Sequence, residues 1–243
     1  MKESLISLAE SKSLPFHQYM DFETLLWIKE NKPDFKYKKI IKFKNKSIIK
    51  NFIPQKNWFY KKKEYDSIHG IRHLLRVGIF ASNLFYLKKS ENKIENIVIS
   101  SVLHDIRRMN DKDDFEHGMR SAEWFKKNYS IVKKKFKVQL KDSDIEEIYW
   151  SMALHDVDYK SLKNKKIYLR FKNIINFIKI ADALDRYRLP KKKWWIDKER
   201  LEIKVEIPSV LENFAFDLIV CSEELFLESG ASIQSVINTY ERI

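Results

Sequence analysis

Five histidines and two aspartates are the residues of this chain best suited to chemistry: His69, His73, the adjacent pair His104–Asp105, His117, His155 and Asp182. Imidazoles and carboxylates without a thiolate suit borderline-to-hard divalent ions such as Mn, Fe, Co, Ni or Mg, not a structural zinc knot. On a regular helix the neighbours His104 and Asp105 would point about 100° apart, so they can grip one ion only at a helix end or bend. Singly, each residue has an ordinary explanation. A histidine on an apolar helix face is more often a hydrogen-bonded core residue, and Asp182 could sit at the surface or pair with Arg186 or Arg188. The ordered set argues against coincidence.

Helices are expected to position these groups. From Ile68 to Leu87, apolar residues recur at Leu74, Val77, Phe80 and Leu84, an amphipathic helix with His73 one turn from His69 and from Val77. A second helix runs from Ile94 through Val98 and Val102 to His104–Asp105, and the polar stretch Ile106–Phe115 then reads as a loop. A third starts near His117 and continues through Met119, Ala122 and Phe125. Ser143 and Glu146 have capping-box spacing for a fourth, which carries Ile145, Ile148 and Met152 toward His155. The fifth runs from Leu169 through Ile174 and Ile178 to Asp182 and Asp185, and Pro190 closes it. Ligands near helix ends or along one seam make a helical metal-site architecture.

The segments SIHGIRHLLRV, SVLHDIRR, FEHGMRSAEWF, MALHDVD and IKIADALDRYR resemble the HD-domain superfamily of metal-dependent phosphohydrolases, over roughly residues 64–190. The resemblance implies a mostly α fold, with His73, His104, Asp105 and Asp182 holding one metal ion. Members with two further histidines hold a second ion, bridged by the same aspartate, and His117 and His155 match that pair. Some such members carry two consecutive histidines at the later position, where this chain has Asp156 after His155.

Outside that region the signals are thinner. The expected layout is a basic and aromatic N-terminal extension (1–63), a catalytic core (64–190) and a C-terminal extension (191–243), within a single domain overall. Asp21 is placed to cap a helix ending at Glu30. The stretch Lys36–Lys50 mixes basic and apolar residues without a clean period. Trp58, Phe59 and Tyr60 precede Lys61–Lys63, a pattern that could stack bases or simply pack on the core. Leu201–Ile207 alternates strictly and predicts a strand ended by Pro208, followed by helical periodicity from Val210 to Leu225 and a last short helix from Ile233.

Composition bounds the rest. A chain of 243 residues with 4 Gly and 5 Pro has little room for flexible linkers. The lone Cys221 excludes an internal disulfide and suggests a reducing compartment. No apolar run reaches the roughly 18 residues of a membrane span, and no signal-peptide core opens the chain, so a cytoplasmic location is expected. The net charge of +13 favours phosphate-bearing partners. It is carried mostly by lysine, though, and lysine also accumulates on solvated faces without a partner.

The function expected from the resemblance is a two-metal phosphodiesterase or nuclease. Asp105 would bridge the ions, Arg107 and Arg108 would clamp phosphate, and His69 would bind the leaving group, donate a proton or orient a ligand. Asp185 is a candidate outer-shell hydrogen-bond partner, and Lys179 a candidate substrate contact. The alternative is a mononuclear hydrolase of deoxynucleotides or alarmones. Outside enzymes, a nucleic-acid-binding protein with a decayed HD fold would show lost ligands, and the first-metal set is complete.

Overall fold

The structure, a computed structural model, describes residues 3–35, 43, 47–196 and 209–243. The chain is mostly helical, and no strand occurs among the described residues. The predicted strand at 201–207 and most of the mixed stretch 36–50 lie outside them.

At the centre is α3 (Ile71–Lys88), on which every residue from Ile71 to Leu84 is buried. Leu74, Leu75, Val77, Ile79 and Phe80 have no exposure at all, and each such side chain contributes about 1.5–3 kcal/mol. A helix covered on all sides needs neighbours on all sides. It packs on α4 (Ile94–Leu103) and α8 (Lys166–Leu184), and on the hairpin of α9 (Ser209–Ser229) and α10 (Ser232–Arg242). The long α5 (His117–Phe136) pairs with α6 (Asp142–Ala153), and α6 in turn contacts α4 and α8. The short α7 (Tyr159–Leu162) joins α6 to α8.

Local chemistry explains the ends. Asp21 caps α2 (Phe22–Glu30) by accepting from the Thr24 N–H at 2.8 Å, as the sequence suggests. It also accepts from the Leu5 N–H at 2.7 Å, which ties in α1 (Leu5–Glu10), a helix too short to show a clear face in sequence. The capping box expected at Ser143–Glu146 does not form. Asp144 reaches back instead to the Lys141 N–H at 2.9 Å, so α6 begins two residues earlier and Ser143 lies inside its first turn.

One apolar cluster takes in Leu5, Trp58, Phe125, Ile178 and Tyr240, and so draws on all three expected segments. Trp58 and Phe59 are buried within it: Trp58 packs on Trp124 and Phe136, and Phe59 on Tyr65. Base stacking by these two rings is thereby excluded. Lys134, Lys135 and Lys137 form a solvated face of α5 and the residue after it. No helix among the described residues is long and apolar enough to cross a membrane.

Candidate metal centre

His73 projects from the first turn of α3, and the other ligand candidates likewise sit at or near helix ends. His104 and Asp105 lie just past the last turn of α4, His155 just past α6, His117 at the first residue of α5, and Asp182 in the last turn of α8. The adjacent pair thus occupies the helix end its divergence required. Glu116, before His117, has a left-handed φ of 62°, a conformation that costs a non-glycine residue about 1 kcal/mol and aims the start of α5 at the cluster.

The side chains converge. His73 Nε2 lies 3.2 Å from His104 Nε2 and 3.5 Å from Asp182 Oδ1, while Asp105 Oδ2 is 3.8 Å away. On the other side of Asp105, Oδ1 is 3.1 Å from His117 Nε2 and 3.3 Å from His155 Nε2, and those two nitrogens are 3.2 Å apart. Ligand atoms about 2.1 Å from an ion stand about 3.0 Å apart along an octahedral edge and about 3.4 Å along a tetrahedral one. The observed spacings fall at or just beyond those values. His73, His104 and Asp182, and likewise His104, Asp105 and His155, offer ligand atoms within 4.8 Å of one another.

The hydrogen bonds fix which nitrogen carries the proton. His104 Nδ1 donates to the Ser101 carbonyl at 2.7 Å, His155 Nδ1 to Met152 at 2.7 Å, and His117 Nδ1 to Asp114 at 2.6 Å. In each case the acceptor lies three residues earlier. For His104 and His155 these carbonyls belong to the last turn of a helix, where backbone acceptors lack intrahelical partners. His73 Nδ1 donates instead to the Asp185 carboxylate at 2.8 Å. All four Nε2 atoms therefore turn lone pairs inward, the state a metal ligand needs, and their orientation is held from behind.

Asp105 Oδ1 is buried, and no donor satisfies it despite the imidazoles at 3.1 and 3.3 Å. Proximity without donation is the expected result when the facing nitrogens carry lone pairs. An acceptor among acceptors is costly unless a cation lies between them. The donor set therefore fits a divalent ion, and the buried His/Asp cluster is compatible with an HD-like site.

Electrostatics at Asp105, Asp182 and His104 point the same way, whereas the carboxylates of Asp105 and Asp156 raise His155 against its burial. Burial alone would raise the Asp105 carboxyl, but His117, His104 and the Arg108 guanidinium hold it well below the ordinary range. Burial alone would raise Asp182 as well, and His73 and His104 bring it down. Desolvation pushes His104 down to about 3, leaving a neutral imidazole.

Of the remaining predicted residues, Arg108 and His69 line the cavity beside the cluster and Arg107 does not. Arg108 Nη1 is 3.3 Å from both Asp105 Oδ2 and His117 Nε2. Arg107 donates to the Trp58 carbonyl at 3.0 Å and lies over the Tyr60 ring, so its part as a phosphate clamp is withdrawn. His69 Nδ1 bonds Asp111 Oδ1 at 2.8 Å, and burial followed by the charge of Arg108 drives its pKa well down, so its ring is neutral. Lys179 donates to the carbonyls of His155 at 2.8 Å and Val157 at 2.5 Å, which makes it a brace for the His155 turn.

Sequence inspection missed Asp111 and the parts of Arg76 and Glu223, whereas Asp185, a candidate outer-shell partner, lies directly behind His73. Asp111 is fastened by the Gln18 N–H at 2.8 Å and by Ser67 Oγ at 2.9 Å, contacts that no local pattern reveals. The salt bridge considered for Asp182 forms instead at Asp185, with Arg76 at 2.6 Å and Arg188 at 3.3 Å. Asp156, where some members of the superfamily that the sequence resembles carry a second histidine, accepts from the Gly118 N–H at 3.3 Å and lies 3.4 Å from His117 Nδ1. It supports the second group of ligands from behind.

Gly118 is required there by close approach. A Cβ would stand 2.6 Å from the Met152 carbonyl and 2.8 Å from His155 Nδ1, within the hydrogen bond that orients His155. Gly118→Ala is expected to displace His155, to cost about 1–3 kcal/mol, and to lower the bound metal measured by titration. Full wild-type metal binding in this variant would show that His155 is not a ligand.

Comparison with protein-family models, with curated proteins and with solved structures gives no match.

Proposed function

We propose that the protein is a divalent-metal-dependent phosphohydrolase, most consistent with a two-ion phosphodiesterase or nuclease. The observation that carries this is the convergence of four oriented Nε2 lone pairs and Asp182 around both oxygens of Asp105. His73, His104, Asp105 and Asp182 would hold one ion, and His117, His155 and Asp105 a second. When bound, such ions make water acidic enough to attack near neutral pH and neutralise phosphate oxygens.

The protein's own groups supply the rest. Arg108, at the cavity edge beside Asp105 and His117, is placed to bind a phosphate oxygen. His69, its Nδ1 proton held by Asp111, presents Nε2 as an acceptor that can orient water or a ligand. Apolar and aromatic walls from Val157, Tyr159, Leu189 and Trp195 limit water around the reacting groups.

One observation favours the mononuclear nucleotide hydrolase as a second reading. The cavity holds about 360 Å³, near the lower end of the 300–1,000 Å³ typical of small-molecule sites, which suits a single nucleotide.

The test is metal content together with turnover of bis(p-nitrophenyl) phosphate in Mn²⁺. About two equivalents with Mn-dependent cleavage, lost in EDTA and restored by Mn²⁺, is the expected result. One equivalent with nucleotide but no diester hydrolysis would select the second reading. Failure to bind any divalent ion would overturn both. Metal binding should also raise the melting temperature, since ligand at about 100 times Kd contributes about 2.7 kcal/mol.

A further inference from the structure

Resting on the phosphohydrolase function above, we propose that Arg188, with Arg186 and Lys193, forms a subsite for a second, non-scissile phosphate of the substrate. All three line the same cavity as the metal-ligand cluster. They come from two successive 3₁₀ turns that follow α8, Asp185–Arg188 and Lys192–Trp194.

Arg188 is 2% exposed and rigidly held. Its Nε donates to the Ile68 carbonyl at 2.6 Å, and Nη1 donates to the Asp185 carbonyl at 2.9 Å and faces Asp185 Oδ2 at 3.3 Å. The remaining amino group, Nη2, has no partner among the described residues, yet it is not among the shut-in polar atoms that lack one. It opens to the cavity. A buried guanidinium held through Nε and Nη1, with Nη2 left free, is a preorganised anion donor, because its side-chain entropy is already spent.

Arg186 repeats the arrangement nearer the surface. Its Nε donates to the Trp194 carbonyl at 2.6 Å, which leaves both terminal amino groups without a protein partner among the described residues. Lys193, exposed on the adjoining turn, adds a third cation. The carboxylates that line the cavity are engaged elsewhere. Asp105 and Asp182 face the imidazoles, Asp156 accepts from Gly118, and Asp158 caps α7 through Ser161.

The free amino group of Arg188, the fork of Arg186 and the ammonium of Lys193 exceed what a single carboxylate or an uncharged diester arm would need, and they match a doubly charged phosphate. The metal cluster accounts for the scissile phosphate. The substrate class that fits both is a nucleotide bearing another phosphate beside the scissile one. Two sources share that chemistry: the terminally phosphorylated end of a strand, and a nucleoside polyphosphate.

The test compares kcat/KM for a thymidine dinucleotide with and without a 5′-terminal phosphate, with ADP alongside, on the full-length Mn²⁺-loaded protein. In the wild type the terminal phosphate should raise kcat/KM by at least about tenfold. In Arg186→Gln/Lys193→Gln the ratio should fall to about one to three. Arg188→Lys, which keeps the buried charge but not the fork, should lower it as well. ADP turned over faster than the phosphorylated dinucleotide assigns the subsite to polyphosphates, and the reverse order assigns it to strand ends. A ratio near one in the wild type, or a ratio unchanged in the double variant, overturns the subsite. If no substrate is cleaved, the phosphohydrolase function fails, and calorimetry with inorganic phosphate decides the subsite alone. At least tenfold weaker phosphate binding in Arg186→Gln/Lys193→Gln keeps it, and equal binding removes it.

Discussion

Replacement of Asp105 by alanine is expected to abolish hydrolysis and to remove most bound metal, a larger effect than any other single change at the cluster. Both carboxylate oxygens face ligand nitrogens, Oδ1 toward His117 and His155 and Oδ2 toward His73. Loss of one residue therefore weakens both groups at once. Metal affinity should fall more than the about 10- to 100-fold typical of an outer-shell change. Turnover should fall by about 10³-fold or more, because an ion supplies several kcal/mol and each 1.36 kcal/mol is tenfold. Metal analysis after dialysis, with circular dichroism as the folding control, reads the result. A well-folded variant that keeps wild-type metal content would sink the assignment of Asp105 as the shared ligand.

The second large effect concerns stability. Asp185 has no solvent exposure and binds His73 Nδ1, Arg76 and Arg188 together. Burial alone would raise its carboxyl, but the guanidiniums of Arg76 and Arg188 outweigh that and hold it far below the ordinary 3.8. A depressed carboxyl contributes stability that is complete above its unfolded value and is lost as pH falls through the folded one. The contribution should therefore be full at neutral pH and vanish only in strong acid. Asp185→Asn leaves two guanidiniums short of a counter-ion in the interior, which costs about 3–5 kcal/mol. Glu146→Gln breaks a pair with Arg170 whose side chains are 38% and 59% exposed, and should cost at most about 1 kcal/mol. Urea titrations in EDTA at pH 7 separate the two. Equal midpoints for both variants would contradict the network.

The cluster of candidate ligands was legible in sequence because it depends on residue type and on short-range position. His104–Asp105 had to lie at a helix end, and α4 stops at Leu103. Asp21 had to cap, and it does. What was not legible depends on contacts across the chain. Arg107 and Arg108 are neighbours of identical type, yet one turns to the Trp58 carbonyl and the other to Asp105, a choice made by packing. For Trp58 and Phe59 the sequence left base stacking and packing on the core both open, and they pack on the core, since flanking lysines can reach solvent while the rings stay buried. Asp111 acquires its place from Gln18, far away in sequence.

The support behind His73 does not end with Asp185. Arg76 bonds Asp185 at 2.6 Å through Nε and Glu223 at 2.6 Å through Nη1, and Glu223 is bonded in turn by Arg72 at 2.9 Å. Glu223 belongs to α9, near the end of the chain. The ligands themselves end at Asp182, so a ribosome has emitted the last of them well before it emits the carboxylate that neutralises Arg72 and Arg76. During synthesis the nascent chain thus passes through an interval in which every candidate ligand, and Asp185 behind His73, exists while the carboxylate that pairs with Arg72 and Arg76 does not. A chain cut at residue 190 would carry the full set of candidate ligands but leave Arg72 and Arg76 without the Glu223 carboxylate.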